Sequence, residues 1–149
     1  MSEGVLVRPL EPGDRGAWGD LWRGYLRFYE TERPEAHLDA YFARLLRRDR
    51  GDMQGLIALA GGRLAGLAHF CLHPHGWQAE PIAYLQDLYT DPGMRGRGIG
   101  AALIEAVDHE ATAQGARGLY WTTAQDNAAA RRLYDRVARL TPFIEYQRP

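Results

Sequence analysis

Apolar residues recur at spacings of three and four over one long early segment: Trp18, Leu21, Trp22, Tyr25, Leu26, Phe28 and Tyr29. That period predicts an amphipathic helix, with Asp14 in front of it as an N-cap. Before it, Val5-Leu6-Val7 is a short β-branched run ended by Pro9 and Pro12, a first strand. A second helix opens near Pro34, whose fixed φ suits a first helical position, and carries Leu38, Tyr41, Phe42, Leu45 and Leu46 as its stripe. The run Arg47 to Arg50 ends it as a solvated terminus near the negative pole of the helix. Leu56–Ala60, then Gly61-Gly62, then Arg63–Leu72 predicts a hairpin with a primed turn. Ile82–Thr90 is a strand, Gly98–Gln114 a helix with Ile99, Leu103, Ile104 and Val107 on one face, and Leu119–Thr123 another strand. Asp126 or Asn127 caps a last helix through Val137, and Phe143–Tyr146 is a closing strand. The expected order is βααβββαβαβ. Without repeats, low-complexity stretches or an internal linker, a mixed α/β fold in one domain, 1–149, is expected.

Composition removes several partners. The chain has 149 residues, 18 basic against 19 acidic, and a net charge of −1. That is no basic footprint, so nucleic acid is not expected as a partner. Cys71 is the single cysteine, no Cys/His cluster has zinc spacing, and so neither a disulfide nor a metal is expected. No stretch reaches the roughly 20 apolar residues of a membrane span. Met1 to Gly4 shows no basic or apolar leader pattern. A cytoplasmic location is the expectation these features support. All 18 basic residues are arginine. Every cation is therefore a guanidinium, which grips phosphate in a fork and cannot be acetylated.

The segment richest in chemistry is Asp91-Pro92-Gly93-Met94-Arg95-Gly96-Arg97-Gly98-Ile99-Gly100, between a strand and a helix. Its glycines allow positive φ and a close approach to the main chain. The following helix adds unpaired N–H groups and the positive end of its dipole. Such a loop is either a tight turn or an anion site, most often for phosphate. A P-loop needs Gly-Lys-Ser/Thr, and the chain has no lysine. Gly96, Gly98 and Ala101 satisfy the dinucleotide fingerprint literally, but several strands precede them, whereas that fingerprint belongs to the first strand–turn–helix of its fold.

The pattern R-x-x-G-x-G, here Arg95, Gly98 and Gly100, resembles the acetyl-CoA loop of the GNAT superfamily of N-acetyltransferases. Asn127 to Tyr134 resembles a second signature of that superfamily, N-x-x-A-x-x-x-Y. Leu119–Thr123, Leu133–Arg136, Phe143–Tyr146 and the aromatic residues of the first helix are similar to a subgroup that includes fungal histone and polyamine acetyltransferases and D-amino-acid acetyltransferases. The resemblance implies a mixed, mostly antiparallel sheet flanked by helices. It also implies acetyl transfer from acetyl-CoA to a primary amine by direct attack in a ternary complex. The acceptor is then a small amine or amino acid, with a protein lysine or N-terminus second; a non-catalytic acyl-CoA-binding regulatory domain is the alternative outside the class. The resemblance further implies a homodimer joined through the closing strand.

On the same resemblance, Arg95, Gly96, Arg97, Gly98, Ile99 and Gly100 hold the pyrophosphate, and Leu88, Tyr89 and Thr90 pair with the pantetheine arm. A main-chain N–H near Leu88 serves as oxyanion donor, a role typically worth roughly 3–4 kcal/mol of barrier. Asn127 joins the cofactor residues, and Tyr134 is the general acid that protonates the leaving thiolate. Polyamine acetyltransferases often carry a glutamate where Gln86 stands, and Gln86 cannot act as a base. Asp87 points away from it unless a bulge intervenes. Tyr29, Glu30, Glu32, Gln86 and Trp121 are candidates for the acceptor pocket. His69, His73 and His75 read as surface or hairpin residues, with His69 facing away from the side of Ala68 and Phe70.

Overall fold

A computed structural model describes residues 4–149 of the chain. Its first strand, β1 (Val5–Pro9), leads through a turn into α1 (Arg15–Phe28) and α2 (Glu35–Leu46). The strands β2 (Gln54–Ala60), β3 (Arg63–His73) and β4 (Ile82–Thr90) follow in a meander. Then come α3 (Ile99–Ala113), β5 (Leu119–Tyr120) and α4 (Ala128–Val137). The sheet order is β1-β2-β3-β4-β5, antiparallel except for the parallel pairing of β4 with β5. Between β2 and β3, Gly61 and Gly62 have φ of 58° and 76°, the left-handed pair that a primed turn requires.

Each helix pair covers one sheet face, because the two faces carry two apolar sets. Leu56, Ala58, Ala68, Phe70 and Leu85 point to α3 and meet Ile99, Leu103, Ile104 and Val107. Ile57 and Leu67 point the other way, to Trp18, Leu21, Trp22, Leu38, Phe42 and Leu45 of α1 and α2. Asp14 stands before α1 as expected but makes no cap bond; its carboxylate accepts from Arg8 at 2.8 and 3.0 Å and from the Glu11 N–H at 2.7 Å. Arg8 holds the Asp14 carboxyl below its ordinary range.

Two sequence expectations fail at the C-terminal side. The strand expected over Leu119–Thr123 pairs only as Ala83↔Leu119 and Tyr84↔Tyr120. β4 changes register immediately beyond, so the next residues of β5 have no matching edge. The strand expected over Phe143–Tyr146 does not form: Leu140, Phe143, Ile144 and Tyr146 are exposed, Tyr146 at 89%. Apolar alternation supplies a strand-forming face, but a strand also needs an edge to bond. No helix of the described residues is long and apolar enough to cross a membrane.

Candidate active site

The register of β4 decides what stands where. His69 faces Asp87, yet Phe70 faces Leu85, so Gln86 is an extra residue bulged out of the ladder. Leu85 and Leu88 therefore both pack on the α3 side, while Asp87 and Tyr89 turn to the α1–α2 side. The Asp91 N–H donates back to Ala65 O at 2.8 Å. Alternation from there turns the Leu88 and Thr90 N–H groups toward the edge that β5 leaves free. Gln86 itself is exposed.

The glycine-rich loop continues from that edge. Gly96 and Gly98 have φ of 80° and 75°, and a Cβ at either would meet nothing within 4 Å. The N–H groups from Arg95 through Ala101 find no acceptor among the described residues, the first intrahelical bond being Ala102 N–H to Gly98 O at 3.0 Å. Arg95 and Arg97 are exposed beside them. Left-handed glycines, unspent N–H groups, a helix N-terminus and two guanidiniums suit a doubly charged phosphate bridge. They fit the pyrophosphate of acetyl-CoA, while the free edge at Leu88–Thr90 fits an amide-bearing arm.

Helix α4 packs beside the start of α3, at the end of this loop. A Cβ at Gly100 would come within 2.8 Å of Leu133 Cδ2, so the glycine allows α4 to approach the start of α3. Tyr134, the next residue, meets Trp121 edge-on with ring centroids 5.4 Å apart. Burial, with a smaller contribution from Tyr29, pushes its phenol up to about 12. Asn127 is the N-cap of α4: its Oδ1 accepts from Ala130 N–H at 3.3 Å, and its Nδ2 donates to Thr123 at 3.4 Å. Tyr29, Glu30 and Glu32 sit exposed where α1 ends, with Glu30 at φ 57°. Glu30 is thus held in a conformation that non-glycine residues rarely adopt.

The α1–α2 face holds a polar network that the sequence reading missed. His69, expected at the surface, is 0% exposed, and Asp87 is 5% exposed. Trp18 Nε1–H donates to His69 Nε2 at 3.1 Å, and His69 Nδ1 lies 3.0 Å from Asp87 Oδ2. The Tyr41 hydroxyl lies 3.5 Å from both Asp87 Oδ2 and His69 Nδ1. Burial raises the Tyr25 phenol, and the Asp87 carboxylate adds to it. The alternation around His69 gave its face correctly. What it lacked was the knowledge that α1 and α2 cover that face.

β4 thus pairs with β5 only at Ala83 and Tyr84, a glycine-rich turn follows it, and the helix that carries Tyr134 packs beside the start of α3. A family model described as the acetyltransferase (GNAT) family matches residues 18–138. The D-amino-acid N-acetyltransferase HPA3 of Saccharomyces cerevisiae is 33% identical over 150 residues, covering 99% of this chain and 92% of that protein. An aminoglycoside N(6')-acetyltransferase type 1 of Klebsiella aerogenes is 29% identical over 138 residues, with 87% and 86% covered. Among solved structures, the aminoglycoside N-acetyltransferase AAC(6')-Iy in complex with CoA superposes with a TM-score of 0.84 at 20% identity, covering 100% of this chain and 97% of that one. The chain belongs to the GNAT family and is an acetyltransferase.

Proposed function

We propose that the protein transfers the acetyl group of acetyl-CoA to the primary amine of a small molecule, with both substrates bound at once. The supporting observation is the adjacency of three features: unspent N–H groups over 95–101, the free β4 edge at Leu88, and Tyr134 packed on the same core cluster as Leu88. Relatives named for D-amino acids and for aminoglycosides both act on amine-bearing small molecules, which supports that acceptor class.

Acetyl-CoA supplies the activated thioester. Backbone N–H groups of Arg95 to Gly100 hold its pyrophosphate, with Arg95 and Arg97 adding charge. The Leu88 N–H faces the thioester oxygen and stabilises the charge that develops there. Asn127 holds the start of α4 and so sets where Tyr134 stands. Tyr134 protonates the departing sulfur. Its phenol near 12 makes donation to an ordinary thiolate roughly 5 kcal/mol uphill, so the proton moves as charge builds on sulfur, not beforehand. Tyr29, Glu30, Glu32, Gln86 and Trp121 border the acceptor's approach. The acidic pair at 30 and 32 favours a cationic acceptor.

Thiol release from acetyl-CoA over a panel of D-amino acids, polyamines, aminoglycosides and a lysine peptide tests this directly. Turnover is expected on small amines, and tight binding without turnover on any amine would replace the enzyme by a binding domain. Tyr134→Phe is expected to keep acetyl-CoA affinity and lower kcat tenfold or more. The active form of Tyr134 is protonated and its pKa is raised, so its contribution persists below about pH 12. The wild-type kcat profile should therefore show no alkaline descent from this group below about pH 11.

We also propose a homodimer. Leu140, Phe143, Ile144 and Tyr146 expose apolar surface on the tail after α4, and β5 leaves its outer edge open. Sedimentation should give a dimer for the whole chain and a monomer for a chain ending at Arg139; a wild-type monomer would refute it.

A further inference from the structure

Three polar rings stand together where β4 and β5 part. Ala83, Leu85, Leu119 and Trp121 pack on the α3 side of the sheet, and so does Leu72. Alternation therefore turns Tyr84, Tyr120 and His73 to the opposite face, the one that carries α1 and α2. Tyr84 and Tyr120 have ring centroids 4.9 Å apart at 34°, and His73 meets Tyr120 edge-on at 5.8 Å and 87°. Tyr84↔Tyr120 is also the last pair of the β4–β5 ladder, so the rings mark the point from which the strands separate. Tyr120 is 38% exposed, which leaves it within reach of a ligand.

The proton positions follow from the acceptors present. His73 Nδ1 lies 2.8 Å from Pro74 O, and a carbonyl oxygen can only accept, so Nδ1 carries the ring proton. In the neutral ring Nε2 then offers a lone pair, and Tyr120 Oη, 2.8 Å away, donates to it. The single hydroxyl proton of Tyr120 is thereby spent, and what its oxygen has left accepts but cannot donate. A carboxylate or phosphate meets no donor there, whereas an N–H group meets an acceptor. The faces of Tyr84 and Tyr120 add the negative side of an aromatic quadrupole, which attracts a cation.

The distance to the reacting centre follows from the register. Tyr84 stands opposite Cys71 and Leu88 opposite Ala68, with Gln86 bulged out between them. Three ladder steps, from 71 to 68, at about 3.3 Å each put the rings roughly 10 Å from Leu88 along the strand. We propose that Tyr120, positioned by His73 and backed by Tyr84, binds a second ammonium group of the acceptor. It thereby selects primary amines that carry another protonated nitrogen roughly 10 Å from the one that reacts. The inference rests on the acetyl-transfer reading above, in which the Leu88 N–H faces the thioester. Tyr120 touches the acceptor but no reacting atom, so it governs specificity; His73 acts only through it.

The test measures thiol release from acetyl-CoA at neutral pH with octane-1,8-diamine and with octylamine, which share the chain and the reacting amine. The whole chain is used throughout. In the wild type the diamine should have the higher kcat/KM by about tenfold, carried by KM. Tyr120→Phe keeps the ring and removes the oxygen; it should cut that preference to less than about threefold, through a rise in the diamine KM. His73→Leu frees the hydroxyl proton and should lower the preference about threefold, whereas His73→Gln can still accept from Tyr120 and should restore it. A Tyr120→Phe enzyme that keeps the wild-type preference, or that loses activity equally on both amines, overturns the proposal. His73→Leu with the wild-type preference overturns the positioning role of His73. A wild type that uses both amines equally well overturns the second ammonium site and leaves acetyl transfer standing. No thiol release with either amine would refute acetyl transfer to small amines, and the second ammonium site with it.

Discussion

Helices α3 and α4 pack against each other and are held in contrasting ways. α3 buries Ile99, Leu103, Ile104, Val107 and Ala111 against the sheet. α4 buries none of its residues and leans on the body through Leu133 and Tyr134. Its sequence, Ala-Ala-Ala-Arg-Arg-Leu-Tyr-Asp-Arg-Val, forms a helix readily but offers little to bury. Its start is tied by Asn127 and by Arg131 Nη1 donating to Gln125 O at 2.7 Å. The helix that follows the glycine-rich loop is thus anchored in the core, and the helix that carries the candidate acid is not. An element with few buried contacts is drawn from the low-stability end of a protein, where ligand-dependent closure is inexpensive.

The contrast breaks first on stability. Leu103→Ala should cost about 3 kcal/mol in denaturant unfolding, and Leu133→Ala less than about 1 kcal/mol. Equal losses would mean that α4 is as firmly anchored as α3. A second pair separates conformational demand from ligand demand. Gly61→Ala in the hairpin and Gly98→Ala in the loop both place a side chain at positive φ in open space. Each should cost about 1–2 kcal/mol of stability. Only Gly98→Ala should also weaken acetyl-CoA binding, measured calorimetrically, and equal affinities would detach the loop from the cofactor.

Much of this architecture was legible in local pattern. The three-and-four spacing of Trp18 to Leu26, the Gly61-Gly62 turn, and the bounds of Ile82–Thr90 all report residues whose neighbours in sequence are their neighbours in space. The loop around Gly98 was legible for the same reason, since positive φ and a helix start are local properties. His69 was misjudged because its burial depends on two helices from the other end of the chain. The role of Gln86 as a bulge was open because register is a relation between strands.

By itself, the sequence determined the order of the elements through the last helix, the apolar faces of the helices, the glycine-rich turn and the place of Tyr134 on the last helix. Those follow from backbone preferences and periodicities that act over a few residues. Only the tertiary structure decided three further features: the truncation of β5, the unpaired tail at Phe143–Tyr146, and the seating of Asp87 against His69 and Tyr41. Each depends on a partner distant in the chain, and a one-residue shift in β4 exchanges the two faces of the sheet.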